Sequence, residues 1–216
     1  MFAMATITSS SNNPMATLLR FARKPSPRTE RCELCGVELS PEHEHLIEPP
    51  TRKLSCACGP CAILFSGPGS LRYRRVPRRI EILSEFQLSD EQWESLHLPI
   101  NLAFFFYSSP AQRVVAAYPS PAGATESLLP LEAWEDLAAA NPVLRELEPD
   151  VEALLVNRVG PTGEYTRAPI DECFKLVGII RMHWRGLSGG TEVWKEINRF
   201  SASLRERGVH IGGSVA

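Results

Sequence analysis

The spacing of apolar positions changes several times along the chain, and each change predicts an element. Leu102–Tyr107 (LAFFFY) is an unbroken apolar and aromatic run of strand length, which predicts a buried strand. Arg113–Tyr118 (RVVAAY) follows a tight Ser108-Ser109-Pro110 connection and predicts its hairpin partner. Val151–Val159 and Glu164–Pro169 predict a second hairpin across Gly160-Pro161-Thr162-Gly163. A period near 3.6 then takes over. Phe174, Val177, Ile180 and Trp184 form one stripe of a helix over Asp171–Arg185. Trp194, Ile197, Phe200 and Leu204 form that of a helix over Thr191–Arg207, stopped by Gly208. Leu131, Trp134 and Leu137 predict a helix over Pro130–Ala139, and Pro142–Leu147 a further short turn.

Weaker signals fill the gaps. Ser89-Asp90-Glu91-Gln92 has the form of a capping box and predicts a short helix to about Leu96. Leu71–Val76 and Ile80–Phe86 are short strand candidates, and Pro119–Pro130 reads as a long loop of small residues, a connector or a binding loop. The order hairpin, helix, hairpin, helix, helix predicts an α+β domain over residues 70–208, an antiparallel sheet covered on one face by helices. Before it lies a cysteine-rich module at 28–69, too small to fold without a staple and ending at a Gly67-Pro68-Gly69 turn. Residues 1–27 are expected to be a flexible segment with a short helix near Met15–Arg23, and 209–216 a flexible tail.

Composition changes this picture only when it is divided. The 216 residues carry a formal charge of −2, yet residues 1–80 hold +6 and residues 81–216 hold −8. Such asymmetry points to different partners for the two parts, or to attraction of one for the other. No stretch approaches the ~18 apolar residues of a membrane helix. The opening MFAMATITSSSNNP has no apolar run of signal-peptide length, so a reducing, cytoplasmic setting is expected. The basic, acid-free first 28 residues also have the composition of a transit peptide, though a frayed terminus is the simpler reading.

Five of the six cysteines fall between positions 32 and 61. Cys32-Glu33-Leu34-Cys35-Gly36 has the form of a zinc knuckle: two intervening residues let both sulfurs reach one tetrahedral ion, and Gly36 permits the tight turn. Cys58-Gly59-Pro60-Cys61 repeats the spacing after 22 residues, with Pro60 suited to the first turn of a helix. A knuckle followed by C-x-x-C at a helix start is the layout of a small treble-clef or zinc-ribbon-like module. Cys32, Cys35, Cys58 and Cys61 are the expected ligands. Cys56 is a spare thiol or a substitute for Cys58, because alternation in an extended segment puts both on one face. His43 and His45, two apart in EHEH, are further alternates or exposed loop histidines. Zinc is the expected ion, and a mononuclear iron or an iron–sulfur cluster the alternative, as four thiolates also hold iron.

Arg72, Arg74, Arg75, Arg78 and Arg79 form a basic run that reads as a solvated strand edge or as a grip for an acidic protein, and less readily for nucleic acid given the acidic remainder. No paired acid and base, nucleophile elbow, P-loop or dinucleotide fingerprint stands out, so no catalytic residue is assigned and a non-enzymatic role is favoured. Cys173 reads as a buried structural thiol. His183 reads as a cation at a helix end rather than a catalytic base. Ser188-Gly189-Gly190, before a helix, reads as a turn rather than an anion site.

The strings RCELCG, HEHL and LSCACGPCAILF, together with AFFF, YPSPAGATES, VEALLVNR, PIDECFKLVGIIRMHWRG and the closing amphipathic helix, resemble an uncharacterised bacterial family. Its genes tend to sit in nickel–iron hydrogenase clusters, beside maturation factors and NifU-like scaffold proteins. The likeness covers about residues 20–207 and carries no assigned activity. It implies an accessory role in hydrogenase assembly or electron supply, with a hydrogenase subunit or a NifU-like scaffold as protein partner. An iron-bearing redox carrier and a zinc-module nucleic-acid-binding protein are the alternatives.

Overall fold

A computed structural model describes residues 29–212 apart from 68, 71, 187 and 188. The helix expected near Met15–Arg23, the segment 1–27, residues 213–216 and Ser188 therefore lie outside the described residues, as does the middle residue of the expected turn at 67–69. The protein is α+β, with a three-stranded and a seven-stranded sheet.

The small sheet, in order β2-β1-β3, is antiparallel and comprises β1 (Glu44–Glu48), β2 (Lys53–Ala57) and β3 (Arg74–Arg75). Helix α1 (Gly59–Ser66) follows β2 directly. The large sheet comprises β4 (Glu81–Leu83), β5 (Leu102–Ser108), β6 (Arg113–Ser120), β7 (Gly123–Ser127), β8 (Glu152–Asn157), β9 (Glu164–Pro169) and β10 (Val209–Ile211), in the order β10-β4-β9-β8-β5-β6-β7. All its pairings are antiparallel except β10 with β4. The helices beside it are α2 (Asp90–Ser95), α3 (Leu131–Ala140), α4 (Ile170–His183) and α5 (Gly190–Arg207), with a 3-10 turn at Pro142–Glu146. The expected capping box is present: Gln92 N–H donates to Ser89 Oγ and Ser89 N–H to Gln92 Oε1.

Two expectations need correction. The sheet is covered on both faces, not one. Phe104, Phe106, Val115, Ala153 and Leu155 face α4 and α5, whose Leu176, Val177, Ile180, Ile197 and Phe200 complete that core. Phe105, Ala116, Leu154 and Val156 face the opposite way, onto Trp93 of α2, Trp134 and Leu137 of α3, and Leu144. An unbroken apolar strand is the signature of burial on both faces, because successive side chains point to opposite sides. Secondly, Pro119–Pro130 is not a loop throughout: β6 runs on to Ser120, turns, and returns as the edge strand β7, pairing Ala116 with Ser127 and Ser120 with Gly123. Its residues conceal it: GATES has no large apolar side chain and none of the five is buried, so there is no alternation to read.

The chain also continues past Gly208, where Val209–Ile211 adds a parallel edge strand beside β4. Ile47 of β1 and Val76 lie in the same core as α4 and α5, so the cysteine-rich region and the large sheet share buried surface. Charge follows the same route. Arg52 pairs with Glu126 at 2.6 Å, Arg74 with Asp150 at 3.3 Å and Arg79 with Glu152 at 2.8 Å. The basic third is thus held against the acidic remainder by partly shielded ion pairs.

Candidate metal centre

The knuckle is built locally. Cys32 N–H donates to Val37 O at 2.9 Å, Gly36 N–H donates to Cys32 O at 2.8 Å, and Gly36 lies at φ +77°. That left-handed turn folds the Cys35 side chain back toward Cys32. Glu33 then fastens the knuckle to the end of β2: its N–H donates to Cys56 O at 2.9 Å, and its carboxylate accepts from Cys56 N–H at 3.0 Å and Ser55 Oγ at 3.2 Å. Burial raises the Glu33 carboxyl, but these bonds and Lys53 outweigh it and hold it below the usual range.

The second pair comes from a helix start. Cys58 is extended and caps α1, with Pro in the first turn, and Cys61 is buried one turn in. One sulfur from each of Cys32, Cys35, Cys58 and Cys61 lies within 4.8 Å of every other, and Cys35 Sγ is 3.7 Å from Cys58 Sγ. Leu46, Ala57 and Ala62 pack beneath them. This four-thiol group could hold a metal ion. Burial pushes the Cys32 thiol up, but backbone N–H groups of Cys58, Cys35 and Leu34 prevail and bring it down to about 6. Cys61, bonded to the Cys58 thiol and close to Cys32, is pushed up to about 12. Thiols packed this closely resist ionising together, and a cation bound among them would offset that cost.

The five clustered cysteines part company at Cys56. It stands directly opposite His45 in the β1–β2 register, on the other face of the hairpin from Leu46 and Ala57. Cys56 and Cys58 do not converge on one point: Cys58, at the cap of α1, groups with Cys32, Cys35 and Cys61, and Cys56 does not. His43 and His45 lie with Cys56 in a separate group, one ligand atom from each within 4.8 Å of the others. Asp171, at the start of α4, accepts from His45 Nδ1 at 2.6 Å and raises the imidazole above its ordinary range, against the effect of burial. Sequence reasoning had no signal for Asp171, whose approach depends on how α4 docks.

The arginine run faces carboxylates of this chain. Arg72 pairs with Glu48 at 3.0 Å, and Arg75 and Arg78 share Glu44 at 2.7 and 3.3 Å. Arg74 and Arg79 reach Asp150 and Glu152. The Arg75 bond and charge hold Glu44 below the usual carboxylate range, against burial. Cys173 is fully buried in α4, and burial pushes its thiol well up. Among the described residues no helix is long and apolar enough to cross a membrane.

Residues 31–208 match the model of a family described as a family of unknown function (DUF5947), and the chain belongs to that family. No curated protein and no solved structure matches it.

Proposed function

We propose that Cys32, Cys35, Cys58 and Cys61 bind one zinc ion as a structural centre, and that the protein is a non-enzymatic accessory factor that works by docking another protein. The observation that carries this reading is the convergence of a knuckle and a helix-capping C-x-x-C on one point, with four sulfurs and, among the described residues, no further His, Cys, Asp or Glu in that group. Four thiolates close a tetrahedral zinc and leave no position for substrate, the hallmark of structural rather than catalytic sites. The likeness of the motifs to a family encoded beside hydrogenase maturation factors supports nickel–iron hydrogenase assembly as the process served, in the cytoplasm, with a hydrogenase subunit or NifU-like scaffold as partner.

Elemental analysis and a visible spectrum of protein purified anaerobically test the centre. One zinc bound by these four thiols, in a colourless protein, is expected of it, and thiolate-to-iron charge-transfer bands overturn zinc in favour of a redox carrier. Affinity capture from cells making an active hydrogenase tests the partner. Recovery of a hydrogenase subunit or maturation scaffold is expected, and its absence overturns the assembly role.

A further inference from the structure

We infer that His43, His45 and Cys56 form a second metal site, separate from the four-thiol group, that takes a borderline divalent ion of the zinc class through three protein ligands. The hairpin dictates the separation. His45 and Cys56 are cross-strand partners on the face that also carries Ile47 and Leu54 toward α4, and His43, just before β1, brings a ligand atom within 4.8 Å of both. Leu46 and Ala57, on the opposite face, pack with Cys32 and Cys61.

Both imidazoles are prepared for a metal. His43 Nδ1 lies 3.0 Å from the carbonyl oxygen of Ser40 and so carries the proton, which leaves Nε2 as the lone-pair nitrogen. That Nε2 is buried and has no hydrogen-bond partner, on a side chain only 7% exposed. A buried acceptor left unpaired costs about 1–3 kcal/mol, and an ion at this position would satisfy it. His45 donates its Nδ1 proton to Asp171 Oδ2, the carboxylate–histidine arrangement that orients metal-bound imidazoles and makes them more basic. The rings stand edge to face, 4.9 Å between centroids and 86° between planes.

Three protein donors leave a tetrahedral ion one ligand short, as in catalytic and exchangeable sites and unlike the four-thiol group. A cavity of about 400 Å³ adjoins the site, lined by His45, Cys56, Asp171, Glu172, Phe174 and Lys175, and gives water or a small exogenous ligand access to the remaining position. Two imidazoles and one thiolate suit zinc, cobalt, nickel or copper rather than calcium or magnesium.

The test is a titration of the whole chain, stripped of metal and held reduced under anaerobic conditions, with cobalt(II) chloride. Two equivalents are expected. One gives the intense charge transfer of four thiolates, and the other gives weaker charge transfer from a single thiolate. H43A and H45A should each remove one equivalent and leave the four-thiolate spectrum intact. C32S/C35S should remove the four-thiolate bands and keep the weaker set. D171N, acting on a positioning residue, should weaken the second equivalent about 10–100-fold without changing the stoichiometry. Alkylation mapping serves if a variant does not fold: zinc should protect Cys56 from iodoacetamide in the wild-type chain. Saturation at one equivalent that survives H45A, or Cys56 freely alkylated at zinc saturation, overturns the second site and leaves the four-thiol reading standing. Loss of the four-thiolate bands alone has the converse meaning.

Discussion

Glu152 and Arg167 form an ion pair enclosed within the large sheet: Arg167 Nη2 lies 2.6 Å and Nε 3.0 Å from Glu152 Oε2, with the glutamate fully buried. Arg79 takes the other carboxylate oxygen at 2.8 Å, and Glu148 N–H also donates to Oε2. A guanidinium from inside the sheet and one from the basic third therefore neutralise a single buried charge. Removing Arg167 leaves the buried carboxylate with only the half-exposed Arg79 and the Glu148 N–H, so Arg167→Met is expected to cost up to about 3–5 kcal/mol in urea unfolding. Arg167→Met combined with Glu152→Leu should cost markedly less.

The same carboxylate sets an acid limit. Burial works to raise its pKa, but Arg167, the Glu148 N–H and Arg79 outweigh burial and hold it below the ordinary carboxylate range. In the unfolded chain Glu152 binds its proton more readily. Its contribution is complete above the unfolded carboxylate pKa, and disappears as pH falls through the depressed folded value. Unfolding free energy should therefore fall as pH drops below about 4.5. The slope should be shallower in Glu152→Gln, which is already destabilised at neutral pH. Urea midpoints across that range measure both.

Coverage of both sheet faces is tested by neighbours on one strand. Phe104 and Phe105 are both fully buried but belong to opposite cores, the latter stacked on Trp134 with 5.5 Å between centroids. Phe104→Ala and Phe105→Ala are each expected to cost about 3–5 kcal/mol by denaturant unfolding. A sheet covered on one face only would make one of them nearly silent.

What the chain discloses directly is what depends on local spacing. The two C-x-x-C units, the LAFFFY strand, the Ser89 capping box and the stripes of α4 and α5 are each complete within a few turns or a single strand. β1 and β2 escaped notice because His45 and Cys56 occupy positions where alternation would ordinarily show apolar residues. The division of Cys56 from Cys58 depends on where β2 ends, and the Asp171 bond on the docking of α4, both set by tertiary contacts. Glu152, within an otherwise apolar VEALLV run, would read as the solvent-facing residue of its strand. Its two arginines come from Arg79 and Arg167, far from it or on the next strand, so no window on the sequence shows that it is buried.

Gly36 tests the knuckle. It lies at φ +77°, and a Cβ there would meet nothing within 4 Å, so any effect of Gly36→Ala comes from the backbone alone. Holding alanine in the left-handed region costs roughly 1–2 kcal/mol. Zinc affinity measured by chelator competition should fall by about 5–30-fold, the equivalent of that cost. The fold of the large sheet should be unchanged. An unaltered affinity would mean that the Cys32–Cys35 turn is not part of the metal centre.

Metal removal should act unevenly. The four thiols rest on a small cluster of Leu46, Ala57 and Ala62, which lacks the apolar area to hold about 40 residues folded without a staple. The large sheet has two extensive cores and is expected to stay folded without an ion. Hydrogen exchange followed by mass spectrometry before and after chelation is expected to show faster exchange over residues 30–66, where Cys32, Gly36 and Ala62 N–H bonds close the knuckle and start α1. Strands β5 and β8 should keep their protection. The hairpin has a further tie, since Ile47 is buried in the core formed with α4 and α5. The opening should therefore be local: the knuckle and α1 exchange fastest, and Ile47 and its neighbours on β1 are slower. Uniform loss of protection across both sheets would show instead that the metal holds the whole fold together.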